Sequence, residues 1–289
     1  MQRRSRIALL SAGVAAVAAA AAVVCYPSAP AVQAAASTLP TPAHIVVVME
    51  ENHSFSDIIG NTSQAPYFNQ LASQGAELTS SYAVTHPSEP NYMALFAGST
   101  FGLSSDACPT NEGTKANLGS EVLAANFTFK GYSEGLPSTG STTCSSGKYA
   151  RKHSPWINFS NVPAADSLPF TSFPTNYASL PSLSFVIPNL SDDMHDGTIT
   201  QADTWLNKNL SAYATWAQAN NSLLIVTWDE DDYTESNQIP TLIVGQPVKP
   251  GKYSENVNHY NLLATLEQIY GVSEVGSSSG ATPITDIWN

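Results

Sequence analysis

The sequence predicts an α/β protein with a mostly parallel central sheet and helices on both faces. Three observations carry this. Short, continuous apolar runs rich in β-branched residues recur along the chain, the pattern of strands buried on both faces. Amphipathic segments of helical period stand between them. The 289 residues are 43% hydrophobic and only 12% charged, which supplies a core and excludes intrinsic disorder. No internal repeat is visible, and no linker divides the chain after its N-terminus.

The elements follow in order. His44–Met49 is the first buried strand and ends abruptly in Glu50, Glu51, Asn52 and His53. Tyr67 to Gln74 is helical and stops at Gly75. Ser88 to Ala97 is a second helix, with Ser88 as N-cap, Pro90 in the first turn and Gly98 past the end. Leu183 to Ile187 is another buried strand, halted by Pro188. Gln201 to Ala219 is a long helix with Trp205, Leu206, Leu210, Tyr213 and Trp216 on its stripe. Leu223 to Trp228 is a central strand that runs into Asp229–Asp232, Thr241 to Val244 is a fourth strand, and Tyr260 to Tyr270 is a closing helix. Parallel sheets place their sites at the carboxyl ends of strands, and here those ends carry the polar residues.

Residues 1–36 read as a signal peptide and 37–289 as a single domain. Arg3, Arg4 and Arg6 precede an uncharged, Ala-rich run from Ile7 to Val24, and small residues around Ala34–Ala36 offer a cleavage site. A retained anchor is the alternative for a run of this length, but alanine is a weak membrane former. Both general and twin-arginine export remain open. Cleavage makes a chain of net charge −12 more acidic still, since the leader holds basic residues and no acids. That balance argues against nucleic acid and against stable membrane association after cleavage. Cys25 leaves with the leader. Cys108 and Cys144 remain as a pair bound for a secreted or extracytoplasmic, oxidising location, and read as a disulfide. The segment from Cys108 onward also concentrates Lys115, Lys130, Lys148, Arg151 and Lys152, a set able to frame an anionic substrate or to form a solvated loop.

Two acidic clusters follow two buried strands, Glu50–Glu51–Asn52 and Asp229–Asp232. If those strands are parallel neighbours, their carboxylates converge and repel unless protonated or bridged by a cation. Asp192, Asp193 and His195 have ligand-like spacing beyond the Leu183–Ile187 strand, His259 begins the last helix, and His86 lies two residues before Ser88. His44, His53 and His153 read as structural. Ser88 heads a helix whose free N–H groups can hold an anion, and a base or metal would make its hydroxyl a nucleophile. Thr85 and Ser99 are weaker rivals.

These residues carry a resemblance. Glu51–Asn52–His53–Ser54–Phe55, the turn Pro87–Ser88–Glu89–Pro90–Asn91–Tyr92 with Gly98–Ser99, Asp229–Glu230 and Asn258–His259 resemble, in order from His44 to about Gly271, the bacterial phosphoesterase family. That family includes acid phosphatases and phosphatidylcholine-type phospholipases C and belongs to the alkaline phosphatase superfamily. The resemblance implies a three-layer alkaline phosphatase-like sandwich over 37–289 and metal-assisted phosphoryl transfer through phosphorylated Ser88. It implies Glu51, Asn52, Asp229 and Glu230 as metal ligands. Asp192, Asp193, His195 and His259 fall where two-metal relatives keep a second site, or where single-metal relatives contact phosphate or protonate the leaving oxygen. Asn52 stands where two-zinc phosphatases have a carboxylate, which speaks against a zinc-only site. The oxygen set suits Ca²⁺, Mg²⁺ or Mn²⁺, and the His/Asp set suits Zn²⁺. The expected substrate is a small phosphate ester handled as by an acid phosphatase. The alternatives are a phospholipase C-like phosphodiesterase and a secreted binding protein that keeps the fold without turnover.

Overall fold

The computed structural model describes residues 39–289; the leader, its cleavage site and Cys25 lie outside them. Eight strands form the main sheet: β1 His44–Glu50, β2 Ala76–Leu78, β3 Phe129–Ser133, β4 Ser167–Pro169, β5 Leu183–Ile187, β6 Ser222–Trp228, β7 Thr241–Gly245 and β8 Gly251–Tyr253. Their spatial order is β8-β2-β7-β6-β1-β5-β3-β4. β1 pairs in parallel with both β5 and β6, and β3 with β5 and β4. β7 is antiparallel to β6 and to β2. The fourth strand read from the sequence therefore exists but runs against its neighbour.

Helices cover both faces because β1 alternates. Ile45, Val47 and Met49 pack in one core with α2 (Ser88–Ala97), α3 (Leu118–Ala124) and α5 (His259–Tyr270). Val46 and Val48 pack in the other with α1 (Pro66–Gln74) and α4 (Ile199–Ala217). All of α2 is buried, so it has no solvent face, and its amphipathic period is absent. Gly98 ends it at φ 64°, and a Cβ there would meet the Val275 carbonyl oxygen at 1.9 Å. Ser88 is the first helical residue; Pro87 occupies the N-cap position. The hydroxyl read as a cap is thus left for other partners. Among the described residues no helix is long and apolar enough to cross a membrane.

Cys108 and Cys144 are bonded, with their Cα atoms 5.8 Å apart. The bond closes a segment that holds little apolar periodicity. Replacing both by serine should lower stability by about 3–4 kcal/mol on chain-entropy grounds. A urea midpoint unchanged from that of the native protein would contradict this.

Candidate active site

The site sits at the carboxyl ends of β1 and β6, and register builds it. Glu50 pairs with Trp228, and the Asp229 N–H donates to the Glu50 carbonyl at 3.0 Å, so Glu51 and Asp229 come side by side one step later. Alternation also separates the acids. Glu51 follows Met49 onto the α2 face, while Glu50 follows Val48 onto the other, where burial pushes its carboxyl well above the usual range. The second acidic run divides similarly. Asp229 and Glu230 face α2, whereas Asp231 accepts the N–H groups of Tyr233, Glu235 and Asn237, and Asp232 accepts the Ser54 hydroxyl. Asp231 thus fixes its own loop, and Asp232 ties that loop to Ser54 after β1.

α2 brings Ser88 onto this edge. Its Oγ lies 2.9 Å from Glu51 Oε2 and 3.2 Å from Glu230 Oε1. One turn on, the Tyr92 hydroxyl donates to Glu51 Oε1 at 2.5 Å. Asn91 knits the preceding turn: its Oδ1 accepts from Val84 and Thr85 N–H, and its Nδ2 donates to the Thr85 and Pro87 carbonyls. The rival hydroxyls are engaged elsewhere. Thr85 donates to the His86 carbonyl, and Ser99 accepts from the Phe101 N–H.

The histidines occupy distinct positions. His86 contacts Glu230 through Nδ1 and lies 3.3 Å from Asp231 through Nε2, with the Tyr233 ring stacked on it at 3.9 Å. His259 stands behind the site: its Nε2 donates to the Asp229 carbonyl at 2.8 Å, and burial lowers it to about 4, so the ring is neutral. His195 accepts from Lys152 Nζ at 3.3 Å and contacts Asp196 through Nδ1. His153, read from the sequence as structural, lies at the centre. Its Nε2 is 2.9 Å from Glu51 Oε1 without the alignment of a hydrogen bond, and its Nδ1 is 3.4 Å from Asp193. The structure does not bring Asp192 to Asp193's side: its carboxylate accepts from Asn189 and Gln201 in the turn beyond β5.

A sequence profile of the phosphoesterase family matches residues 61–273. The chain belongs to the phosphoesterase family. It is 60% identical over 261 residues to a phosphatidylinositol-3-phosphatase of Mycobacterium tuberculosis, covering 90% of this chain and 87% of that one. It is 32% identical to an acid phosphatase of Aspergillus fumigatus over 71% of this chain, and spans about half of that longer protein (51%). In fold it matches a Vibrio parahaemolyticus protein of the alkaline phosphatase superfamily (TM-score 0.56, 14% identity, 86% of this chain and 72% of that one). It also matches the lipoteichoic acid synthase LtaP of Listeria monocytogenes (TM-score 0.60, 10% identity, 88% and 78%). The protein is accordingly a hydrolase of phosphoric ester bonds. Glu51 and Asn52 precede the profile match, which opens at 61.

Electrostatics give this phosphoesterase a site that asks for positive charge. Burial raises Asp229 well above the usual carboxylate range, and Glu51 and Glu230 add to it by repulsion. Burial and the Glu51 charge raise Glu230 to about 8. Burial opposes ionisation of Glu51 too, yet His153, Lys152 and Tyr92 outweigh it and hold Glu51 at about 2. Burial disfavours charged His153, but Glu51 and Asp193 beside it prevail and raise it to about 9. Lys152 keeps its charge against burial through Glu51 and Asp106. Of the five basic residues singled out in this stretch, Lys152 reaches the site; Lys115, Lys130 and Lys148 pair with Glu112, Asp166 and Asp196, and Arg151 is buried in a junction of carbonyls.

The residues fit a metal. Asn52 Oδ1 and Asp229 Oδ2 are buried with no hydrogen-bond partner, the unmet acceptors that a cation satisfies. Asn52 takes φ 51°, a left-handed conformation that asparagine tolerates, and its N–H donates to Asp229 Oδ1 at 3.2 Å. Glu51, His153 and Asp193 form a second, mixed nitrogen–oxygen cluster, with one donor atom from each within 4.8 Å of the others. The two sets share Glu51.

Proposed function

We propose that the protein is a secreted, metal-dependent phosphomonoesterase that works through a phosphoserine at Ser88. The observation that carries this is the Ser88 hydroxyl held between Glu51 and Glu230, beside the two partnerless oxygens of Asn52 and Asp229. Glu51, Asn52, Asp229 and Glu230 would hold a hard cation, which when bound lowers the cost of forming a serine alkoxide and neutralises phosphoryl oxygens. The chain's own groups do the rest. In the first turn of α2 the Ser88 N–H is the donor left for an anion, since Pro87 and Pro90 carry none and the Glu89 N–H goes to Asp106. Lys152 adds a cation, and Tyr92 and His153 orient Glu51. His86 and His195, at the rim with 23% and 28% of their side chains exposed, are placed to pass protons to and from the leaving group and water. His259 fixes Asp229 from behind.

A monoester rather than a diester is favoured by the relatives, one named a phosphatidylinositol-3-phosphatase and the others acid phosphatases. The disulfide, together with the leader-like residues 1–36, supports export of 37–289 as the catalytic domain. Turnover of p-nitrophenyl phosphate should exceed that of bis-p-nitrophenyl phosphate, should vanish with chelator and should return with a divalent ion. A preference for the bis-ester would replace this reading with a phosphodiesterase. Binding of phosphate without turnover of either ester would leave a binding protein.

A further inference from the structure

We propose that Asp106 is a positioning residue of this site, holding Lys152 and the first turn of α2 in a fixed relation, and that the Cys108–Cys144 disulfide keeps Asp106 in place. The inference rests on the phosphoesterase reading of the site. Asp106 touches both the turn that carries Ser88 and the lysine beside it. Its Oδ1 accepts the N–H of Glu89, the residue after Ser88, at 2.9 Å. Its Oδ2 accepts from Lys152 Nζ at 2.8 Å, in a pair whose side chains are 28% and 16% exposed. Lysine carries its charge on a flexible four-carbon stem, so its position depends on what holds the ammonium. Four carboxylates crowd this edge, and Asp106 anchors the ammonium from outside the proposed metal-ligand set.

The covalent link joins the two segments that carry this pair. Cys108 lies two residues beyond Asp106, in a stretch between α2 and α3 that has neither helix nor strand. Cys144 sits across a short hairpin whose far arm leads into Arg151–His153, and the Arg151 N–H donates to the Cys144 carbonyl at 3.0 Å. Lys152 and His153 are therefore the next residues past the staple. The Arg151 guanidinium crosses the same junction, donating to the Thr142 carbonyl at 2.9 Å and the Thr110 carbonyl at 3.2 Å. With the disulfide opened, that guanidinium remains as a weaker tie, so the local fold persists while Asp106 gains freedom.

Two variants and a reductant separate positioning from simple helix capping. Asp106→Asn keeps an acceptor for the Glu89 N–H and removes the charge that holds Lys152. It should retain the native melting temperature and far-UV spectrum, yet lower kcat/KM for p-nitrophenyl phosphate by about tenfold, mainly through KM. In a Lys152→Met background the same change should alter kcat/KM by less than about twofold, because both substitutions remove one interaction. Dithiothreitol exchanges its two thiols for the disulfide, giving two cysteine thiols and the cyclic oxidised reagent. Native protein so reduced, with both thiols titrated, should lose a comparable fraction of kcat/KM, and Asp106→Asn should lose little more. Full activity of Asp106→Asn, multiplicative effects of the two substitutions, or full activity of the reduced native protein would each overturn the proposal. Absence of turnover by the native oxidised protein with metal would instead overturn the underlying reading.

Discussion

Replacing Ser88 by alanine should lower kcat by about 10³–10⁵, the loss expected when a covalent route is removed and the rest of the site stays. The change deletes one hydroxyl that makes no cap and no core contact of consequence, since Pro87 holds the N-cap position and Asn91 fixes the turn. Stability, metal content and phosphate binding should therefore stay near native values, measured by thermal melting, metal analysis and calorimetry. Thr85→Ala should leave kcat within a few-fold of native, because the Thr85 hydroxyl is spent on the His86 carbonyl. Near-native rates in Ser88→Ala would remove the covalent step and leave attack by water as the route.

The second large effect concerns the cation. Glu51→Gln or Asp229→Asn should each reduce activity by about three orders of magnitude, roughly 4 kcal/mol, at metal concentrations that saturate the native enzyme. Both carboxylates touch the Ser88 edge, and both are buried where an uncompensated charge is expensive. In the apo protein Asp229→Asn should be more stable than native, because burial and the Glu51 charge raise the Asp229 carboxyl. Glu51→Gln should be less stable, because His153 and Lys152 hold the Glu51 carboxylate ionised. Metal binding and activity should fall together. Normal metal content in both variants would contradict the ligand assignment.

How far the sequence reveals this site depends on where each group lies. β1, β5 and β6 are legible because burial on both faces leaves continuous apolar runs, and the acids at their ends stand out for that reason. Ser88 is legible from its turn and its helix. β3 is not: its Lys130 and Gly131 break any strand pattern, and Gly131 is required because a Cβ would meet the Trp156 ring at 2.1 Å. The antiparallel direction of β7 is equally silent, since a buried strand reads the same either way. His153 escapes because it sits on a 3₁₀ turn in an irregular segment, with no period to place it, and its role arises from packing against Tyr92 and Glu51. Asp106 escapes for the same reason. Glu50 shows the opposite failure: it looks equivalent to Glu51 in sequence, and one step of strand alternation sends it to the other face.

The central claim is that Ser88 becomes phosphorylated. Acid quenching during turnover of a phosphate monoester, followed by peptide mapping, tests it most directly, because phosphoserine survives acid. A single phosphate on the peptide that contains Ser88, absent without substrate and absent in Ser88→Ala, is the expected result. Turnover at the native rate with no phosphate on that peptide, or with phosphate on another residue, would contradict it.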